Sequence, residues 1–104
     1  MEPAVTLSVL ELTVIEANLL RDTKVIGLMD PYLVLEYNKI KFKTKILNKA
    51  GKHPVWNETF QLKIDPVLTD EIKFSVFAET LFSNDLVGEC FESLTTLDHH
   101  EVIN

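Results

Sequence analysis

Apolar and polar residues alternate with a period of two along most of the chain, and this pattern predicts β-strands. Six such runs follow one another, near residues 6–17, 33–36, 39–46, 59–64, 72–77 and 86–91. Residues that favour turns separate them, among them Gly27 and Pro31 after the first run and Gly51 before the fourth. Each run has one apolar face, so the strands must pack face to face, which predicts an all-β sandwich of two antiparallel sheets. Residues 66–69 are predicted to form a short helical turn.

Length and composition limit what the chain can be. Its 104 residues are enough for one domain with one core, and no linker or internal repeat divides them. A hydrophobic content of 46% is typical of a globular protein. The net charge of -6 argues against nonspecific nucleic-acid binding, because phosphate contacts need clustered positive charge. No apolar run approaches the roughly 20 residues that span a bilayer, so we expect any membrane contact to be peripheral.

Cysteine usage and the N-terminus indicate a compartment. The single cysteine, Cys90, excludes an internal disulfide, which favours a reducing environment. The first residues lack the basic segment and apolar stretch of a signal peptide. We therefore expect a cytoplasmic location, peripheral to a membrane if the chain binds one.

No arrangement of residues predicts catalysis. The sequence lacks the glycine-rich fingerprints of nucleotide-binding loops and the Gly-x-Ser-x-Gly elbow of many hydrolases. Cys90 has no evident base, and His53 has no evident partner. The adjacent His99 and His100 are interpreted as solvated loop residues rather than zinc ligands, because neighbours in a strand face opposite ways. We expect a binding module rather than an enzyme.

Three segments, in order and in register, resemble the C2 domain family. The first is Asp-Pro-Tyr at 30–32, which follows the first strand. The second is Lys-Thr-Lys at 43–45 with His-Pro-Val-Trp-Asn-Glu-Thr-Phe at 53–60, and the third is Phe-Ser-Val-Phe at 74–77 with Asn-Asp-Leu-Val-Gly-Glu at 84–89. The resemblance covers about residues 7–97. It implies a Greek-key β-sandwich that docks to membranes or to other proteins.

The resemblance also implies eight strands, the last of which lies beside the first. The last one or two strands are expected to be missing here, because only a few residues follow the sixth run. An unpaired edge on the first strand is a template for another chain. We therefore expect either a fragment of a longer protein or a protein partner that completes this edge.

A calcium site between the first and third loops is implied by the same resemblance, but its aspartates are few. Asp30 and Asp85 match two positions of the family, and Asp22 is an out-of-register candidate for a third. Ala78 and Thr80 stand where calcium-binding members have aspartate. Since calcium prefers six to eight oxygen ligands, we expect no cofactor or a weakly bound calcium, and a function independent of calcium. The alternative role of the aspartates is to cap turns.

Alternating lysines form a second candidate site, made of Lys39, Lys41, Lys43 and Lys45. In one continuous strand this spacing places all four ammonium groups on one face. The resemblance implies that such a strand binds phosphoinositides or other anionic phospholipids. An acidic protein surface is an alternative partner, and a merely solubilising face is the alternative role.

Apolar residues of the first and third loops form a third candidate site, because loops with fewer acidic residues repel an anionic membrane less. They are Val25, Ile26, Leu28, Leu81 and Phe82. We predict that they insert into a lipid interface or a protein groove, the alternative being that they fold back on the core. The sequence thus predicts a non-catalytic, calcium-independent docking module. A calcium-dependent phospholipid-binding domain and a purely structural subunit are the alternatives.

Overall fold

The computed structural model describes residues 8–22, 24, 28–65, 71–93 and 102–103. These residues form seven strands: β1 (Ser8–Asn18), β2 (Asp30–Tyr37), β3 (Ile40–Lys43), β4 (Val55–Ile64), β5 (Glu71–Glu79), β6 (Asn84–Ser93) and β7 (Val102–Ile103). The turn predicted at 66–69 lies outside the described residues, as do Val25, Ile26, His99 and His100. In the described part of the chain no helix is long and apolar enough to cross a membrane.

The strands form two sheets, with the orders β4-β1-β7 and β3-β2-β5-β6. Every pairing is antiparallel except the short parallel one between β1 and β7. The all-β, two-sheet class predicted from the alternation is confirmed, and each of the six runs contributes a strand. The third strand is shorter than its run, because β3 ends at Lys43.

β3 ends because a side chain takes over its pairing with β2. The Thr44 N–H donates to the Leu33 carbonyl at 2.9 Å, but the Leu33 N–H donates to the Thr44 hydroxyl at 2.8 Å rather than to a carbonyl. Just beyond, the Lys45 carbonyl accepts the indole N–H of Trp56 at 3.1 Å. Trp56 is only 5% exposed and belongs to the core.

Alternate residues of β2 and β5 supply the centre of the core. Leu33 and Leu35 on β2 and Ile72 and Val76 on β5 are completely buried. Burying each such side chain stabilises the fold by roughly 1.5–3 kcal/mol. Because side chains alternate along a strand, Val34 on β2 and Lys73 and Ser75 on β5 lie on the other face of this sheet, which we call the outer face.

The second edge of β1 is paired at its C-terminal end. Ala17 lies beside Val102, and Asn18 lies beside Ile103. The expectation that no strand lies beside the first is therefore wrong at these two residues. The difference arises because the last described residues return to β1, and they pair with it in the parallel direction.

Three strands of the four-stranded sheet begin or end together at one end of the sandwich, the loop end. Asp30 at the start of β2 pairs with Glu79 at the end of β5, and Glu79 pairs with Asn84 at the start of β6. The described residues of the first loop (19–22, 24 and 28–29) and the tip loop, residues 80–83, lie at this end. The tip loop corresponds to the predicted third loop. Of the predicted calcium and insertion residues, the described ones therefore lie at one end of the molecule: Asp22, Leu28, Asp30, Leu81, Phe82 and Asp85.

Candidate functional site

The tip loop is closed on itself by the side chain of Thr80. The Thr80 N–H and the Thr80 hydroxyl donate to the Ser83 carbonyl at 2.8 and 2.9 Å. The hydroxyl oxygen accepts the backbone N–H of Ser83 at 2.9 Å and that of Phe82 at 3.3 Å. A residue that replaces a family aspartate therefore fixes the shape of the loop.

The two central residues of the tip loop point into solvent. Leu81 is 93% exposed and Phe82 is 96% exposed. Leu28 of the first loop is about half exposed. Leu81 and Phe82 therefore do not fold back on the core, which leaves both side chains free for contact with a lipid or a protein. Their insertion remains a prediction.

Asp22 holds the first loop together. Its Oδ1 accepts the backbone N–H of Lys24 at 2.9 Å, and its Oδ2 accepts that of Met29 at 3.3 Å. Both carboxylate oxygens are therefore engaged by the loop backbone. This arrangement matches the turn-capping role that the sequence left open.

The other two predicted aspartates also accept hydrogen bonds from their surroundings. Asp30 Oδ1 accepts the backbone N–H of Lys49 at 2.7 Å. Asp85 Oδ1 accepts the hydroxyl hydrogen of Ser83 at 3.0 Å. Each aspartate thus ties a loop to the sheet beside it.

A cleft of about 400 Å³ separates the first loop from the tip loop. It is lined by Lys24, Asp30, Glu79, Thr80, Leu81 and Phe82. Asp30 is the one predicted ligand in this lining, and Glu79 joins it there. Nowhere in the described residues are three or more His, Cys, Asp or Glu side chains grouped so that they could hold a metal ion. Calcium prefers six to eight oxygens, so the weak or absent calcium binding expected from the sequence stays a prediction.

Lys41 and Lys43 occupy the outer face of the four-stranded sheet. Lys43 pairs with Val34 and Lys41 pairs with Glu36, so all four side chains share this face. The other two lysines of the predicted row differ in backbone geometry. Lys39 lies in the turn before β3 with a φ of 65°, and Lys45 follows the end of the strand. All four lysines are exposed, but the regular spacing holds for Lys41 and Lys43 alone.

An aromatic pair adjoins these lysines. The rings of Tyr32 and Phe77 are stacked, with centroids 5.6 Å apart and an angle of 19° between their planes. The Lys43 ammonium lies 4.4 Å from the centroid of the Tyr32 ring, which is cation–π geometry. Burial raises the pKa of the Tyr32 phenol, and the Glu79 carboxylate raises it further.

Sequence reasoning missed the aromatic pair, although its signal was present. Tyr32 lies two residues before Val34, and Phe77 lies two residues after Ser75, so the period of two places both rings on the outer face. Together with Lys41 and the exposed side of β3, the pair gives a surface with an apolar floor and a cationic rim.

The far side of the outer face has its own cation. Lys73 on β5 forms an ion pair with Glu89 on β6 at 3.5 Å, and its ammonium lies 5.6 Å from the centroid of the Phe91 ring. Glu36 lies between Lys41 and Lys73 in the same row. Positive charge therefore concentrates at β3, where the lysines lack such carboxylate contacts within 4 Å in the described part of the chain.

Comparison with known proteins finds similar chains in plants and animals. Synaptotagmin-5 of Arabidopsis thaliana is 36% identical over 89 residues, which is 84% of this chain and 16% of that protein. Elicitor-responsive protein 3 of Oryza sativa subsp. japonica is 31% identical over 85% of this chain and 61% of its own length. Cytosolic phospholipase A2 delta of Homo sapiens is 34% identical over 82% of this chain, which spans 10% of the enzyme.

Solved structures agree with the fold. Human GIVD cytosolic phospholipase A2, in complex with a fluorophosphonate inhibitor and terbium chloride, superposes with a TM-score of 0.81 at 30% identity. That superposition covers 91% of this chain and 14% of the enzyme. The family model described as C2 domain matches residues 8–104. The two-sheet fold agrees with that match. This chain belongs to the C2 domain family.

Proposed function

We propose that this C2 domain is a non-catalytic module that docks to anionic phospholipid membranes from the cytoplasmic side, without a need for calcium. The observation that carries the proposal is the hydrogen-bonded tip loop, which holds Leu81 and Phe82 almost fully exposed. Isolated exposed apolar residues are common, but two adjacent ones on a loop fixed by its own hydrogen bonds favour an interface.

The fixed loop favours insertion for an energetic reason. Transfer of a large apolar side chain out of water contributes roughly 1.5–3 kcal/mol when burial is complete. Part of this gain is normally offset by the ordering of mobile loops on binding. Because Thr80 already orders the tip loop, Leu81 and Phe82 keep more of the gain.

Electrostatic attraction supports the same orientation. Each lysine near an anionic membrane contributes about 1 kcal/mol, so Lys41 and Lys43 together strengthen binding by about 30-fold. Tyr32 lies between these lysines and the loop end on the same strand as Asp30. A headgroup phosphate that reaches Lys43 would therefore rest beside the Tyr32 ring.

Calcium independence is supported by what the aspartates do. Asp22, Asp30 and Asp85 each accept a hydrogen bond that organises the loop end. A metal ion would have to compete with those bonds for the same oxygens. The loop end has its shape from contacts within the chain.

Vesicle co-sedimentation tests the proposal directly. The protein is mixed with vesicles of phosphatidylcholine alone, with added phosphatidylserine, or with added phosphoinositide, each with calcium or with a chelator. We expect binding to the anionic vesicles that is equal in calcium and in chelator. The Lys43→Ala variant should bind about fivefold more weakly, as the loss of about 1 kcal/mol predicts.

Lys63→Ala is the matched control, because it removes the same charge from an exposed position on β4 in the other sheet. If the protein binds none of the anionic vesicles, the membrane role is refuted, and docking to a protein partner or a purely structural role is favoured. Binding that appears only with calcium would refute the calcium independence and support the calcium-dependent alternative.

A further inference from the structure

The lining of the cleft at the loop end includes a lysine, Lys24, in a region where a metal-binding domain needs oxygen ligands. The lining also includes Asp30 and Glu79, which are paired residues of β2 and β5. Lys24 is thus the cationic residue of a lining that also holds two acidic ones. A calcium site is built from oxygens, whereas one wall here carries an ammonium group.

Asp22 determines where Lys24 lies. The Asp22 carboxylate accepts the Lys24 N–H at 2.9 Å through one oxygen and the Met29 N–H at 3.3 Å through the other. It therefore joins the backbone at Lys24 to the buried residue that precedes β2. The aspartate that resembles a metal ligand of the family is used here to position a positively charged residue.

Arg21 connects the same loop to β6. Its Nη2 donates to the Leu86 carbonyl on β6 at 2.6 Å. Leu86 lies at the bulge in the β5–β6 pairing, next to the extra residue Val87, where the ladder is irregular. The first loop is thus linked to β6 by a side chain of the protein itself.

We propose that Lys24 is the resident cation of the loop end and takes the place of a calcium ion in balancing the charge of Asp30 and Glu79. With Lys24 the three cleft charges sum to one negative charge rather than two. The tip loop can then approach an anionic surface without a bound metal. The proposal extends the proposed function by explaining its calcium independence, and its decisive test does not require membrane binding.

The first measurement is thermal stability with calcium or with magnesium at the same millimolar concentration. The Lys24→Gln variant is compared with the wild type and with Lys63→Gln, which removes the same charge from β4. We expect a calcium-specific rise in the thermal midpoint of Lys24→Gln alone, because its cleft carboxylates have lost their positive neighbour. The Lys24 side chain is exposed, so its replacement leaves the core intact.

The second measurement is binding to phosphatidylserine vesicles. Without calcium, Lys24→Gln should bind about fivefold more weakly than the wild type, and millimolar calcium should restore most of that loss. Lys63→Gln should show no recovery with calcium.

The thermal measurement decides the proposal. Two results would overturn the role of Lys24. The first is a wild type that calcium stabilises more than magnesium does, and the second is a Lys24→Gln variant that calcium stabilises no more than magnesium does. If the wild type binds no vesicle, the membrane function fails, while the calcium-specific rise in Lys24→Gln still supports Lys24 as the resident cation.

Discussion

The Thr80 hydroxyl and the Ser83 backbone are hydrogen-bonded in both directions, because the hydroxyl accepts the Ser83 N–H at 2.9 Å and donates to the Ser83 carbonyl at 2.9 Å. One side chain thereby closes the whole loop between β5 and β6. Leu81 and Phe82 lie between these two residues and extend into solvent. The most exposed large apolar residues in the described part of the chain are thus held by a polar contact rather than by packing.

Replacing Thr80 by valine should loosen the tip loop without disturbing the sheets. Valine keeps the shape of threonine but lacks the hydroxyl, so the change should lower the free energy of unfolding by about 1 kcal/mol. Vesicle binding should fall several-fold, because the loop must then be ordered on binding. Urea unfolding and vesicle co-sedimentation measure the two effects. Thr80→Ser keeps the hydroxyl and should behave like the wild type, and equal binding by Thr80→Val would contradict the role of the loop.

Replacing both Leu81 and Phe82 by serine separates membrane binding from stability. Their side chains are almost fully exposed, so the double variant should unfold within about 0.5 kcal/mol of the wild type. Vesicle binding should fall by at least tenfold, since even half of the transfer energy of two large apolar side chains exceeds about 1.4 kcal/mol.

The control for that variant is Val9→Thr, which removes apolar surface from an exposed position on β1, where Val9 pairs with Lys63. It should bind vesicles as the wild type does. A Leu81→Ser/Phe82→Ser protein that still binds normally would show that the lysine surface on β3 is sufficient for docking.

The sheets were predictable from the sequence because alternation defines both a strand and its faces. Leu33 and Leu35 alternate with polar or outward residues, and both are completely buried. The same rule places Tyr32 and Lys43 on the outer face, although the ring and the ammonium meet only once β2 and β3 are paired. Contacts between strands depend on register, which a single strand does not reveal.

The loop end could be located from the sequence but not described. Asp22 and Asp30 were predicted to lie there, and they do. Asp22, however, accepts the backbone N–H of Met29, and Asp30 accepts that of Lys49, which is far from it along the chain. Loop conformation decides such bonds, and periodicity carries no information about it. Lys24 was overlooked for the same reason, since one lysine in a loop gives no pattern.

Replacing Thr44 by valine should be among the more destabilising changes of a polar residue here. Thr44 is 4% exposed, and its hydroxyl accepts the N–H of the completely buried Leu33 at 2.8 Å. Valine is of similar size but leaves that N–H without an acceptor, which costs about 1–3 kcal/mol. Thr59→Val is the matched control, because the Thr59 hydroxyl bonds to Thr13 on the exposed face. Urea unfolding that shows equal losses for both variants would contradict the role given to Thr44.

Cys90 on β6 should make the fold less stable at alkaline pH. Burial raises the pKa of its half-buried thiol, and the nearby Glu92 carboxylate raises it further. The thiol of the unfolded chain therefore ionises first, at its ordinary pKa of 9.0. The contribution of Cys90 to stability is complete below that value and is lost as the pH rises through the higher pKa of the folded state.

Cys90→Val replaces the thiol by an apolar group that does not ionise. Urea midpoints measured between about pH 8 and pH 10 should then fall less steeply for Cys90→Val than for the wild type. Tyr32 also has a raised pKa, but it ionises at still higher pH and is present in both proteins, so it does not cause a difference between them. Parallel pH profiles for the two proteins would show that the Cys90 thiol ionises alike in the folded and unfolded states.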